Sequence, residues 1–356
     1  MKILVISLAG IGDTLFATPL IHELREHFPD AVIDAFVLWA GSKQILEGNP
    51  YISTVYQKNL ISAPKMELLD FLRQLRRNDY DVSFNIHPQS KVQYRMVARF
   101  IGARTRISHE YIHGGALNQF LVNRTLPQNY TVHCVENNLA LLGLIGVKPK
   151  LVRHAYELFL SEEEEQWAAD FVARRGLAGR PLVGLHVGSG GTKNLPLRRW
   201  PVGHYVELIQ RLNEQCPDVH VLLFGGPEEH EAHKIILAET ASALVSEPNS
   251  KNIRQAAALL SYCRGFLSVD TALMHLAVVA GVPNQIVIET PTFNKTVEPL
   301  GRRFVLVPNR AVAGRNLDYY RYDGEDIRGN DEELRRCMES VSVEAVYRAV
   351  VDALGS

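Results

Sequence analysis

The sequence has little of what usually fixes a function at first sight. It holds four cysteines in 356 residues, Cys134, Cys216, Cys263 and Cys337, far apart and with no C-x-x-C pair. This excludes a zinc ribbon or a disulfide framework and points to a reducing, cytosolic compartment. The formal net charge is −1 with 22% charged residues, which excludes a disordered chain and a general nucleic-acid binder. No apolar run is long enough to span a bilayer. The apolar start MKILVISLAGIGDTL is interrupted by Asp13 and lacks an A-x-A site, so it reads as a first strand and not as a signal peptide. There is no G-x-S-x-G and no P-loop.

What is present is an alternation of strand and helix through two halves, the signature of an α/β chain with parallel sheets. Lys2–Leu8 is a buried-type strand, and Gly10-Ile11-Gly12-Asp13 turns the chain into a helix predicted over Thr14–Phe28. Pro181–Val187 restarts the pattern, followed by Gly188-Ser189-Gly190-Gly191 and a helix from Val202. At 46% hydrophobic residues the chain suits two domains, expected at 1–160 and 175–335. A last helix within 340–356 is expected to pack back on the first domain. The halves differ in charge: residues 1–150 carry 16 Lys and Arg against 12 Asp and Glu, the remainder 22 against 27. Lys91, Arg95 and Arg99 recur at i, i+4, i+8, which suits either a solvated basic face or a surface for an anionic partner.

The two glycine turns differ in chemistry. Gly10 and Gly12 begin a dinucleotide-like fingerprint, but Leu15 stands where a third small residue is needed. Asp13 at a helix N-terminus would repel a phosphate. It suits a general base at the carboxyl edge of the sheet, or a plain helix cap. The second turn and its sequel, HVGSGGTKNLPLRRW over 186–200, offer Ser189, Gly190, Thr192, Lys193, Arg198 and Arg199 to a phosphate or diphosphate. Asp270-Thr271 cap a helix whose free N–H groups suit phosphate oxygens, and His275 lies near its start as either a site or a core residue. Glu228 and Glu229 follow a strand end and fit ribose hydroxyls or ordinary helix-terminal acids. Asp79-Tyr80-Asp81 precedes its strand and so lies away from the ligand edge. His230 and His233 lack a third ligand, so no metal and no cofactor is expected.

Together these stretches resemble glycosyltransferase family 9, the ADP-heptose:lipopolysaccharide heptosyltransferases. The resemblance rests on ILVISLAGIGDTLFATPLI at 3–21, VGLHVGSGGTKNLPLRRWP at 183–201, VLLFGGPEE at 221–229 and SVDTALMHLAVVAGVP at 268–283, with CMESVSVEAVYRAV at 337–350 in support. It implies a GT-B fold: two facing Rossmann-like domains, with an acceptor bound by the first, a nucleotide sugar by the second, and the active site between. The family's catalytic Asp falls on Asp13, beside Gly12. Its nucleotide-binding D-T-x-L-x-H falls on Asp270, Thr271, Ala272, Leu273 and His275, and its nucleoside acid on Glu228 or Glu229. Arg198 stands where the family often has Lys, and Thr290-Pro291-Thr292-Phe293 replaces the usual G-P-T-D. The implied reaction is an inverting, metal-independent transfer from ADP-heptose. Its acceptor is an anionic, lipid-linked oligosaccharide at the cytoplasmic face of the inner membrane, touched peripherally. Other readings open at this point are a different nucleotide sugar, an epimerase or hydrolase of the same fold, and a binding protein without turnover.

Overall fold

The computed structural model describes residues 1–112, 116–191, 194–301, 303–321 and 326–355. Thr192 and Lys193 lie outside the described residues. Among the described residues the chain forms two compact units, Met1–Phe159 and Leu160–Arg321 with 326–355, each built on one six-stranded sheet.

The first sheet contains β1 (Lys2–Ser7), β2 (Val32–Val37), β3 (Thr54–Gln57), β4 (Val82–Asn85), β5 (Thr105–Glu110) and β6 (Arg124–Pro127). Its order is β3-β2-β1-β4-β5-β6, parallel throughout. The second contains β7 (Leu182–His186), β8 (His220–Phe224), β9 (Val245–Ser246), β10 (Gly265–Ser268), β11 (Asn284–Ile288) and β12 (Phe304–Val307). Its order is β12-β11-β10-β7-β8-β9, again parallel. Helices cover both faces of such sheets, so the central strands are apolar without alternation. Ile3, Leu4, Ile6, Val183 and Leu185 are accordingly fully buried. The edge strands β6 and β12 are half exposed, carry a weaker signal and escape the sequence reading.

Each sheet reverses its strand order once, at β1/β4 and at β7/β10. Chain connections diverge there and leave a crevice at the carboxyl ends of the strands, where open α/β sheets bind ligands. Asp13 follows β1, and Asp270 follows β10, opposite the glycine turn after β7.

Three expectations are corrected. The helix predicted from Thr14 to Phe28 is two helices, Ile11–Leu15 and Thr18–His27. Pro19 has no N–H to offer the Leu15 carbonyl; the Thr18 hydroxyl donates to it instead, at 2.8 Å. The stretch between the two expected domains is not a linker outside both: it forms the helix Glu162–Arg174, which belongs to the second unit. Its capping-box residue Glu164 accepts from Arg254 Nε at 2.5 Å, on the helix Ile253–Leu260.

The C-terminal helix Val343–Gly355 also packs on the second unit and not on the first. Its stripe of Val343, Val346, Tyr347, Val350 and Ala353 joins the core of Leu185, Val221, Leu267 and Ile286. Arg211 lies 4.3 Å over the Tyr347 ring, and Trp200 Nε1 donates to the Val341 carbonyl at 2.9 Å. An apolar stripe dictates that a helix is buried but carries no address for the surface that buries it.

Candidate active site

In the first unit the turn after β1 is held from four sides. Gln89, fully buried, accepts from the Leu8 N–H at 3.1 Å and donates to the carbonyls of Ile6 and of Ile86 (2.9 Å), tying the ends of β1 and β4 together. Trp39 Nε1 donates to the Ala9 carbonyl at 2.7 Å. Thr14 Oγ1 lies 3.1 Å from Ser7 Oγ and donates to Ser42 Oγ at 2.8 Å. Asn138 donates to the Phe16 carbonyl at 3.2 Å.

Within this frame Asp13, half-buried, sits at the third position of its short helix, and Oδ2 accepts from the Gly10 N–H at 2.6 Å. A Cβ on Gly10 would lie 2.9 Å from that oxygen, so a side chain there would displace the Asp13 carboxylate. Gly12 is buried in the same turn. Burial first, and then the charge of Asp13, push the Tyr94 phenol up. Asp13 thus caps its own turn and also stands at the ligand edge of the switch point. Gln89, Tyr94 and Asn138 lacked any sequence signal, because each reaches the turn after β1 across long-range contacts.

The basic face of the helix Val92–Ile101 is not one face. Lys91 and Arg99 are exposed, with the Arg99 guanidinium 5.8 Å from the centre of the exposed Phe120 ring. Arg95 is buried at 2% exposure: it donates to the His109 carbonyl and lies 5.5 Å from the centre of the Tyr111 ring. Steps of four residues rotate by 40° around a helix of 3.6 residues per turn. Arg95 therefore lies with the buried Ala98 and Ile101 while Arg99 falls past the edge of that face, and Lys91 is the N-cap, outside the helix.

In the second unit the β7 and β10 loops meet. Arg198 Nη1 lies 3.1 Å from Asp270 Oδ2 and 3.1 Å from Thr292 Oγ1, all three residues being buried. Thr271 caps the helix Ala272–Val279 by accepting from the Met274 N–H at 3.3 Å, and lies 3.2 Å from His186 Nδ1. Burial pushes the His186 imidazole down to about 3, so it is neutral at pH 7. Ala272 and Leu273 are half-exposed at the open helix end, while His275 is buried one turn in.

The glycine turn is less open to anions than its composition implies. Arg199 Nη2 donates to the Ser189 carbonyl at 2.8 Å and lies 3.5 Å from Glu229 Oε1 and 3.8 Å from Glu228 Oε2. The Ser189 hydroxyl donates to the Leu195 carbonyl at 3.0 Å. A Cβ on Gly188 would collide with the Glu229 carboxylate, and one on Gly191 would fall 2.6 Å from Glu228. Gly190 leans instead on Leu195 and is exposed. The acids separate clearly: Glu229 is buried, accepts from the Gly226 N–H at 2.9 Å and is raised by that burial, whereas Glu228 is exposed.

Beside this turn, at the carboxyl ends of β8 and β9, lies a cavity of about 360 Å³ lined by Phe224, Gly226, Pro227, His230, Glu247 and Asn249. His233 Nδ1 lies 2.8 Å from Glu247 Oε1, so the histidine pair 230/233 borders a cavity wall. Among the described residues no three His, Cys, Asp or Glu side chains gather as metal ligands would.

Residues 68–319 match the family model described as glycosyltransferase family 9 (heptosyltransferase). The chain belongs to glycosyltransferase family 9. It is 27% identical over 297 residues to lipopolysaccharide heptosyltransferase 2 of Escherichia coli K12, spanning 80% of this chain and 81% of that one. To lipooligosaccharide heptosyltransferase 2 of Haemophilus ducreyi it is 26% identical, over 86% and 88% of the two chains. Among solved structures, a family 9 glycosyltransferase from Veillonella parvula superposes with a TM-score of 0.76 at 19% identity, covering 99% of this chain and 97% of that one. The E. coli ADP-heptose lipopolysaccharide heptosyltransferase II gives 0.72 at 21%, covering 99% and 98%. The fold is GT-B, and the family 9 chain is a glycosyltransferase.

Proposed function

We propose that this family 9 enzyme moves heptose from ADP-heptose to a phosphorylated, lipid-linked lipopolysaccharide core, by inverting transfer without a metal ion. The observation that carries the donor half is the meeting of Arg198 with Asp270 at the open end of the helix Ala272–Val279. A fixed cation and free backbone N–H groups there suit a departing diphosphate. The neighbouring cavity at Gly226 and Glu247 takes the nucleoside, with Glu229 bonded to the Gly226 N–H of its wall. The relatives' names, over four-fifths or more of each chain, support the sugar and the acceptor.

In the first unit Asp13 takes the proton from an acceptor hydroxyl as that oxygen bonds to the anomeric carbon. The bond from that carbon to the diphosphate breaks, and its electrons leave with ADP. Exposed Lys91 and Arg99 suit acceptor phosphates, and with Met96 and Phe120, both exposed, they suit peripheral contact with the cytoplasmic face of the inner membrane. No described helix is long and apolar enough to cross a membrane.

The deciding variant is Asp13→Asn, which keeps size and capping ability but not the proton acceptor. We expect kcat to fall by about 10²–10⁴-fold with ADP affinity and melting temperature nearly unchanged. A helix-cap role alone gives near-native turnover in Asp13→Asn, and a loss of about 1 kcal/mol of stability only in Asp13→Ala.

A further inference from the structure

The hydrogen bonds around Arg198 have only one consistent direction. Thr292 has one hydroxyl proton and gives it to Asp270 Oδ2 at 2.9 Å. Its oxygen therefore accepts, from Arg198 Nη1 at 3.1 Å and from the Thr290 hydroxyl at 2.8 Å. Thr290 Oγ1 in turn accepts from the Thr292 N–H at 3.3 Å. Both threonines are fully buried in the loop after β11. That loop is anchored by Asn316, which donates to the Thr290 carbonyl at 2.7 Å, and by Asn294, which donates to the Thr292 carbonyl at 3.0 Å.

Among the described residues the guanidinium is thus gripped at one nitrogen only. Arg198 is 7% exposed, and its Nε–H has no hydrogen-bond partner among the described residues. A buried charged donor without an acceptor is costly in an empty site and favourable once an anion arrives. A guanidinium is planar, so fixing Nη1 in place also fixes where the unpaired N–H points.

We propose that Thr290 and Thr292 are positioning residues, whose hydroxyls lock Arg198 by Nη1 against Asp270 and so aim its unpaired N–H at an anionic oxygen of the departing diphosphate. This rests on the reading of Arg198 given above. The two threonines touch no reacting atom themselves; they act through the arginine. The lock also answers a problem of charge. Asp270 at the same helix end repels a diphosphate, and a guanidinium held against it offsets that charge without swinging away.

The test is a double-mutant cycle on the full chain, with Thr292→Val, Arg198→Ala and the pair, assayed with ADP-heptose and lipopolysaccharide core acceptor. Thr292→Val should lower kcat about tenfold or more, with a smaller change in donor KM, and Thr292→Ser should restore most of it. In the Arg198→Ala background, Thr292→Val should cost nothing further. An equal loss in both backgrounds, or a serine variant as poor as valine, overturns the lock while leaving Arg198 in place. An Arg198→Ala enzyme with native kcat overturns the reading of Arg198 itself. Should Thr292→Val not fold, Thr290→Ala, which removes one donor to Thr292, takes its place in the same cycle.

Discussion

Arg95 and Arg99 stand one helical turn apart and have opposite fates. Arg95 is packed inside the first unit against Tyr111 and the His109 carbonyl; Arg99 lies outside on Phe120. Changing Arg95 to Gln strands a buried carbonyl and should lower unfolding stability by about 2 kcal/mol. Changing Lys91 and Arg99 together should alter stability by less than about 0.5 kcal/mol while raising the acceptor KM. Denaturant melts and acceptor kinetics separate the two, and an Arg95→Gln protein of native stability contradicts the packing role. Single residues were legible in the sequence where they sit in a turn that limits their neighbours. Asp13 follows two glycines, and Asp270-Thr271 read as a cap, which Thr271 supplies. Thr292, Gln89 and Arg95 were not legible, because their partners are remote: Thr292 meets Arg198, 94 residues away, and Gln89 meets Leu8, 81 away.

At the scale of elements, hydrophobic periodicity located the central strands and the longer helices, since burial on both faces leaves continuous apolar runs. It passed over the junction at Phe16-Ala17, because an apolar stripe continues across the break while the backbone does not. The junction depends on Thr18, fully buried, whose hydroxyl donates to the Leu15 carbonyl and accepts from the Glu157 N–H at 3.0 Å. Thr18→Val keeps the shape and removes both bonds. It should destabilise the protein by about 2–3 kcal/mol, with Thr18→Ser losing under about 1 kcal/mol. Equal urea midpoints for the valine and native proteins would show that the junction needs only its proline.

At the scale of the whole molecule, buried neutral histidines tie stability to pH. Burial holds His87 well below its ordinary range, His109 and His220 at about 4 and His186 at about 3. In the unfolded chain such groups titrate near 6.5. Below that pH the unfolded chain takes up protons that the folded chain refuses, so stability must fall as pH drops from about 6.5 toward 4. The raised Glu157 and Glu229 oppose this, since their folded forms gain the proton first, but they are two groups against four histidines in both units. A lower urea midpoint at pH 5 than at pH 7 is expected, and a flat profile would mean that the histidines are protonated in the fold. The sequence by itself determined the α/β class, the parallel sheets, the division into two halves and the two turns, all of them products of local periodicity and glycine placement. Only the tertiary structure decided that the last helix covers the second sheet, that Arg95 is interior, that Glu229 is buried where Glu228 is exposed, and that Arg198 meets Asp270 and Thr292. Those outcomes depend on which surfaces meet across scores of residues, and a run of apolar or charged side chains records the need for a partner without recording which one.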